Sequence, residues 1–125
     1  MIIGLGSDAI EVARICASRQ RFGERFLQRV FTAAEIHYCL SKANADERLA
    51  GRFAAKEAAS KALGTGLSQG ITWRDLEIHR EPSGRPVMRF SGRAAEIAAY
   101  LCTRISHVTI THTAEMAFAV VILES

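Results

Sequence analysis

Two carboxylates far apart in the chain, and a set of cations near one of them, could do chemistry together. In "GRFAAKEAASKALGTG", residues 51–66, Arg52, Lys56, Glu57 and Lys61 interrupt a run of alanines that ends in two glycines. Residues three, four and seven apart share a helix face. Phe53, Glu57, Ser60, Lys61 and Gly64 therefore form one stripe, surrounded by Ala54, Ala55, Ala58, Ala59 and Ala62. Side chains that small let other backbones approach closely. Asp8 follows "GLGS", where a loop after a strand can hold a carboxylate at the rim of a sheet. Two carboxylates with open positions suit Mg²⁺, which takes one or two protein carboxylates, several waters and substrate phosphate oxygens. Bringing Asp8 to Glu57 would make such a site, and Arg52, Lys56 and Lys61 would add phosphate contacts. The competing account is a solvated Glu57–Lys61 pair worth about 0.3–0.5 kcal/mol. The helix alone leaves both open.

Other chemistries lack their residues. "GTG" is neither GxGxxG nor a P-loop, because no GK pair follows the glycines. No HExxH or paired Cys/His spacing points to zinc, and no GxSxG supplies a nucleophile elbow.

The elements that must position these residues are legible from the pattern. "MIIGLGSDAIEVA" predicts a strand over about residues 2–7, then a turn holding Asp8. A helix is expected from about Ala13 to Phe22, broken by Gly23, with a short helix or irregular segment in "ERFLQRVF". Thr32 with Glu35 three residues on is the capping-box pattern and starts a helix to about Leu40. Asp46 to Leu63 carries the longest helical signal, stopped by Gly64. "DLEIHRE" and "PVMRF" predict strands joined by the turn "PSGR". A helix N-capped by Ser91 precedes two terminal strands, "HVTITHT" and "AFAVVIL". Strand, helices, long helix, two strands, helix, two strands indicate an α+β domain with a largely antiparallel sheet.

At 125 residues the chain is expected to form one domain, residues 1–125. With 49% hydrophobic and 23% charged residues it lies within the globular range. Asp8 and Glu11 interrupt the first apolar run too early for a signal peptide, and no segment is long enough to span a bilayer. Cys16, Cys39 and Cys102 form no disulfide framework, so a cytoplasmic location is expected. Net charge is +3, unevenly placed: residues 13–30 hold Arg14, Arg19, Arg21, Arg25 and Arg29 against Glu24 alone. Such a band is either a solvated helix face or a surface for an anionic partner: nucleic acid, a phosphorylated metabolite or an acidic protein. The nearby Phe22, Phe26, Phe31 and Tyr38 recur at helical intervals and read as core.

With these residues in hand, the chain resembles the holo-acyl-carrier-protein synthase family, the small bacterial type of 4′-phosphopantetheinyl transferase. "RFAAKEAASKALGTG" is similar to the family's (R/F)xAKEAxxKAxGTG signature. "GLGSDAIEVARI" is similar to its opening GxGxDxxxxxR, with Asp8 and Arg14 in the matching positions. "VTITHTAEMAFAVVILE" is similar to its closing VSxSHxxxxAxAxVxxE. Thr109 and Thr111 stand where serines are usual, and before the long helix only Lys42 and Arg48 stand where basic residues are common.

The resemblance implies the 4′-phosphopantetheinyl transferase fold, with a largely antiparallel sheet packed against the long helix. It implies transfer of the 4′-phosphopantetheine arm of coenzyme A to a serine of apo-acyl carrier protein, releasing adenosine 3′,5′-bisphosphate. It puts Asp8 and Glu57 on Mg²⁺ and Lys61 on the phosphate that stays with the transferred group. Arg52, Gly64, His112 and the turn at Gly84, Arg85 and Pro86 would line the nucleotide pocket. The hydroxyl proton goes to Glu57 or to a metal-bound water. Arg14 and Arg21 would face the acidic helix of the carrier protein, and the resemblance implies a homotrimer with active sites between subunits. The alternative from another class is a non-catalytic basic module that binds an acidic protein or RNA. Converging carboxylates discriminate, because a simple binder has no use for them.

Overall fold

A computed structural model describes all 125 residues. Its elements are β1 (Ile2–Glu11), α1 (Val12–Phe22), α2 (Glu24–Val30), α3 (Ala33–Leu40), α4 (Ala45–Ala62), β2 (Leu76–Arg80), β3 (Pro86–Phe90), α5 (Gly92–Tyr100), β4 (Ile105–His112) and β5 (Met116–Glu124). The strands make an antiparallel sheet in the order β1-β5-β4 and a separate antiparallel hairpin, β2-β3. The α+β architecture with antiparallel pairing is the one the pattern predicts.

Helix α4 lies against the three-stranded sheet and is buried on nearly every side: Leu49, Ala50, Ala54, Ala55, Ala58, Ala59 and Ala62 are all inaccessible or nearly so. Alanine favours the helix intrinsically and keeps its radius small. Its C-terminus is closed by Gly64 at φ +81°, while the Thr65 and Gly66 amides both donate to the Ser60 carbonyl. Strand β1 meets the helix at backbone distance. A Cβ on Gly6 would lie 1.9 Å from the Ala58 carbonyl oxygen, and one on Gly4 would lie 2.3 Å from that of Ala62. Only glycine permits this contact.

Three expectations are corrected. The first strand does not end at residue 7: it pairs with β5 through Glu11, so Asp8 sits mid-strand opposite Ala119 and not in a turn. Gly4, Gly6, Asp8 and Ile10 alternate on its helix-facing side.

Lys56 contacts no open surface. It is fully buried, and its Nζ donates to Glu35 Oε1 (2.8 Å), the Leu76 carbonyl (2.8 Å) and the Trp73 carbonyl (3.1 Å). Three acceptors satisfy the three ammonium donors. Burial pushes the Lys56 ammonium below the usual lysine range, and the Glu35 carboxylate opposes that. Glu35 also accepts from the Thr32 amide, closing the predicted capping box, and from the Ile78 amide. This buried pair therefore ties α3, α4 and β2 together and supplies no phosphate ligand.

The aromatic series divides as well. Phe31 is core and meets Phe26 edge-on at 6.0 Å, and Phe26 and Tyr38 pack against the core, but Phe22 is 48% exposed and Tyr38 also faces cations.

Candidate active site

Asp8 and the exposed side of α4 form one half of the candidate site. Alternation along β1 carries Asp8 onto the helix side immediately after Gly6, where the close approach brings the strand under α4. Lys61 Nζ donates to Asp8 Oδ1 at 3.2 Å and to the Ser7 carbonyl at 2.9 Å. The ammonium thus pairs across to the strand, and no Glu57–Lys61 ion pair forms on the helix. Glu57 lies one turn before Lys61. Its carboxyl is raised above the usual range, first by burial and then by the Asp8 charge, with Lys61 and Arg14 opposing. The two carboxylates therefore act on each other, and only one ammonium forms an ion pair there. No group of three or more metal-ligating side chains occurs in the chain. A two-carboxylate set fits a hard divalent cation that completes its shell with water and phosphate oxygens.

The other half is a cleft of about 110 Å³ lined by Arg48, Gly51, Arg52, Ile78, Arg80, Gly84, Pro86, Ile110 and His112. It draws on α4, the β2-β3 hairpin and the end of β4. The hairpin turn is held by the Glu81 amide to the Arg85 carbonyl and the Gly84 amide to the Glu81 carbonyl. Gly84 has φ +92°, and Arg80 Nε donates to its carbonyl at 3.3 Å. Arg52 is 6% exposed, and its buried Nε has no hydrogen-bond partner. His112 Nδ1 lies 3.0 Å from Glu47 Oε1, which fixes the ring and leaves its other nitrogen free. The cleft is far below the roughly 300–1,000 Å³ of a small-molecule pocket. It has room for one phosphate-sized group.

The structure brings Asp8, Glu57 and Lys61 together, and separately Arg52, Gly84, Pro86 and His112. It does not bring the two sets together. Lys61 lies nine residues beyond Arg52, about two and a half turns, so the two project from opposite sides of α4. Gly64 lines neither half and faces open space, and the Arg85 side chain is 69% exposed beside Glu81. Sequence reasoning missed Tyr38, Glu47 and Arg80 and placed Arg48 only by position. Glu47 and Arg48 lie five and four residues before Arg52, a spacing that could have brought them in. Arg80 could be found only by knowing how the hairpin folds back.

The basic band is partly neutralised: Arg19 Nη1 pairs with Asp46 Oδ1 at 2.8 Å. Beside it, Ser18, Phe22, Arg25, Phe26, Arg29, Val30, Phe53 and Trp73 line a cleft of about 370 Å³. Phe53 is one turn before Glu57, so this apolar floor adjoins the carboxylates. A roomier cleft of about 650 Å³ beside α2 and α3, lined by Glu24, Gln28, Phe31, Ile36 and Arg74 among others, includes no residue of either half.

An antiparallel α+β fold that places a carboxylate–ammonium cluster and a basic cleft on one helix defines a protein built to handle a phosphorylated substrate. A family model of the 4′-phosphopantetheinyl transferase superfamily matches residues 4–119. A protein named holo-[acyl-carrier-protein] synthase from Koribacter versatilis is 59% identical over 99% of both chains. Its namesake from Solibacter usitatus is 46% identical over the full length of both. Among solved structures, the Neisseria meningitidis holo-[acyl-carrier-protein] synthase superposes with a TM-score of 0.90 at 28% identity, covering 100% of each chain. The Helicobacter pylori enzyme, solved in complex with coenzyme A, gives 0.85 at 33% identity over 96% of this chain and 99% of that one. The chain belongs to the 4′-phosphopantetheinyl transferase superfamily.

Proposed function

We propose that residues 1–125 act as one domain that transfers the 4′-phosphopantetheine group of coenzyme A to a serine of apo-acyl carrier protein. The observation that carries this is the Asp8–Lys61–Glu57 cluster on a chain of this family. In the transfer the serine oxygen forms a bond to the phosphorus bearing pantetheine, the pyrophosphate P–O bond breaks, and adenosine 3′,5′-bisphosphate leaves. Arg48, Arg52, Arg80 and His112 bind phosphate of the nucleotide. Lys61 holds the phosphate that is transferred, and Glu57, or a water beside it, takes the hydroxyl proton. Asp8 and Glu57 would hold Mg²⁺, which neutralises charge on the pyrophosphate. Positioning and charge do most of the work in such a transfer.

Because the two halves face opposite ways on α4, one copy's cleft is completed by another copy's carboxylates. The outer face of the sheet supports self-assembly. Leu5, Ile122 and His107 form one row across it, Ser7, Val120 and Thr109 the next, and Ala9, Phe118 and Thr111 the third. Leu5 is 64% and Phe118 46% exposed on this apolar face, which marks it for burial against a partner. The family resemblance makes that partner two further copies, a homotrimer. Arg14 and Arg21 with the Phe22–Phe26–Phe53–Trp73 cleft would receive the acidic carrier protein. No helix is long and apolar enough to cross a membrane, and a cytoplasmic role in fatty-acid biosynthesis follows the family. A non-catalytic basic module is not favoured, since it leaves the carboxylate cluster without a purpose.

Incubation with coenzyme A, Mg²⁺ and an apo-carrier protein should raise the carrier's mass by one phosphopantetheine group. An unchanged carrier mass under all conditions would refute the transferase. Arg21→Glu should raise KM for the carrier about tenfold at low salt and less at high salt, with KM for coenzyme A unchanged. Arg21 is the cleaner probe because the charge of Arg14 reaches Glu57. An unaltered carrier KM at low salt would remove Arg21 from the docking surface.

A further inference from the structure

We propose that Tyr38 is a positioning residue for anion binding: its ring sets the guanidinium groups of Arg52 and Arg80 to grip a phosphate of the nucleotide. This rests on the reading of the cleft as part of the coenzyme A site.

None of Arg48, Arg52 and Arg80 forms an ion pair with a carboxylate. Three like charges converging on one small cleft repel each other, so something other than counter-charge must hold them. Tyr38 does so. The Arg52 guanidinium carbon lies 4.5 Å from its ring centroid and that of Arg80 4.8 Å, while Arg48 Nη1 donates to its hydroxyl at 3.5 Å. Lys42 Nζ stands 5.2 Å from the same ring. The negative face of an aromatic ring attracts cations without neutralising their charge. A carboxylate in the same place would hold the arginines equally well and would repel the anion they are to bind.

The support of the ring is rigid. Tyr38 is carried by α3, whose first turn is fixed by the Thr32–Glu35 capping box and by Lys56. No carboxylate lines the cleft, and Glu47, behind His112, is engaged by its Nδ1. The buried, unpartnered Nε of Arg52 is a donor still to be satisfied. A phosphate arriving there meets charge already in place, which spares the ordering cost of long side chains.

The test is calorimetric binding of adenosine 3′,5′-bisphosphate together with steady-state kinetics. Tyr38→Leu should weaken bisphosphate binding and raise KM for coenzyme A by about tenfold each, leaving kcat within about twofold. Tyr38→Phe, which keeps the ring, should stay within about threefold of the parent protein. Arg80→Gln should weaken binding too, and adding Tyr38→Leu to it should cost less than Tyr38→Leu alone. Fluorinated phenylalanines at position 38 preserve shape and drain the ring face, so affinity should fall stepwise with each fluorine. Tyr38→Leu binding as tightly as the parent, fully additive effects, or a flat fluorine series would each overturn the proposal. Absence of bisphosphate binding by the parent protein would instead bring down the coenzyme A reading, and this proposal with it.

Discussion

Glu57→Ala and Asp8→Ala should each lower kcat by about 10²–10³-fold or more, because each removes a carboxylate that, on the proposed reading, would hold the Mg²⁺ needed to neutralise the pyrophosphate. Neither should unfold the protein. Glu57 is raised by burial and by Asp8, so its charged form is disfavoured in the folded state. A carboxyl so raised costs stability as pH rises through its ordinary range and costs none once both states are protonated. Metal-free Glu57→Gln should therefore melt at or above the parent's temperature at pH 7, with the difference vanishing as pH falls below about 4. Loss of turnover with an intact melting transition, read by calorimetry and a coupled release assay, would place Glu57 in the chemistry. Normal turnover in Glu57→Ala or Asp8→Ala would remove the carboxylates from it.

Lys56→Met should have the largest effect on stability, about 3–5 kcal/mol, because it leaves the Glu35 charge buried without its partner. It also strips a donor from the Trp73 and Leu76 carbonyls. Against a total of about 5–15 kcal/mol for an ordinary domain, such a loss would show plainly in a urea midpoint. Adding Glu35→Gln should recover part of it by removing the stranded charge. The recovery stays partial because Glu35 also receives the Thr32 and Ile78 amides. A cost below about 1 kcal/mol for Lys56→Met would mean that water reaches the pair.

The contrast between Lys56 and Glu57 shows what the sequence could and could not say. Periodicity placed the long helix, its glycine stop and the Thr32 cap, since these follow from local preferences. Adjacent residues on a helix point about 100° apart, and which of them meets water depends on what packs around the helix. A run of alanines gives no sign of that, because a small side chain fits a core and a surface equally. Lys56 therefore read as a phosphate ligand when it is a tie between elements. Arg52 was joined to Glu57 and Lys61 for the same reason, although it points away from them into a cleft closed by the hairpin. Asp8 was legible as a residue and misread in setting: an aspartate after glycines suggests a turn, but β5 supplies backbone partners on through Glu11. Tyr38 matched the aromatic spacing of a core, and only the arrival of arginines from two other elements gives it a different surrounding.

Strand β1 has two sides with separate obligations. Its even-numbered side carries the glycines that admit the helix and then Asp8; its odd-numbered side carries Leu5, Ser7 and Ala9 on the exposed outer face of the sheet. A slip of one residue against β5 would exchange the two sides at once, putting leucine under the helix and the carboxylate outside. The close seat of the helix and the make-up of the outer face are thus read from the same ten residues in alternate letters, and neither can drift without the other registering the error.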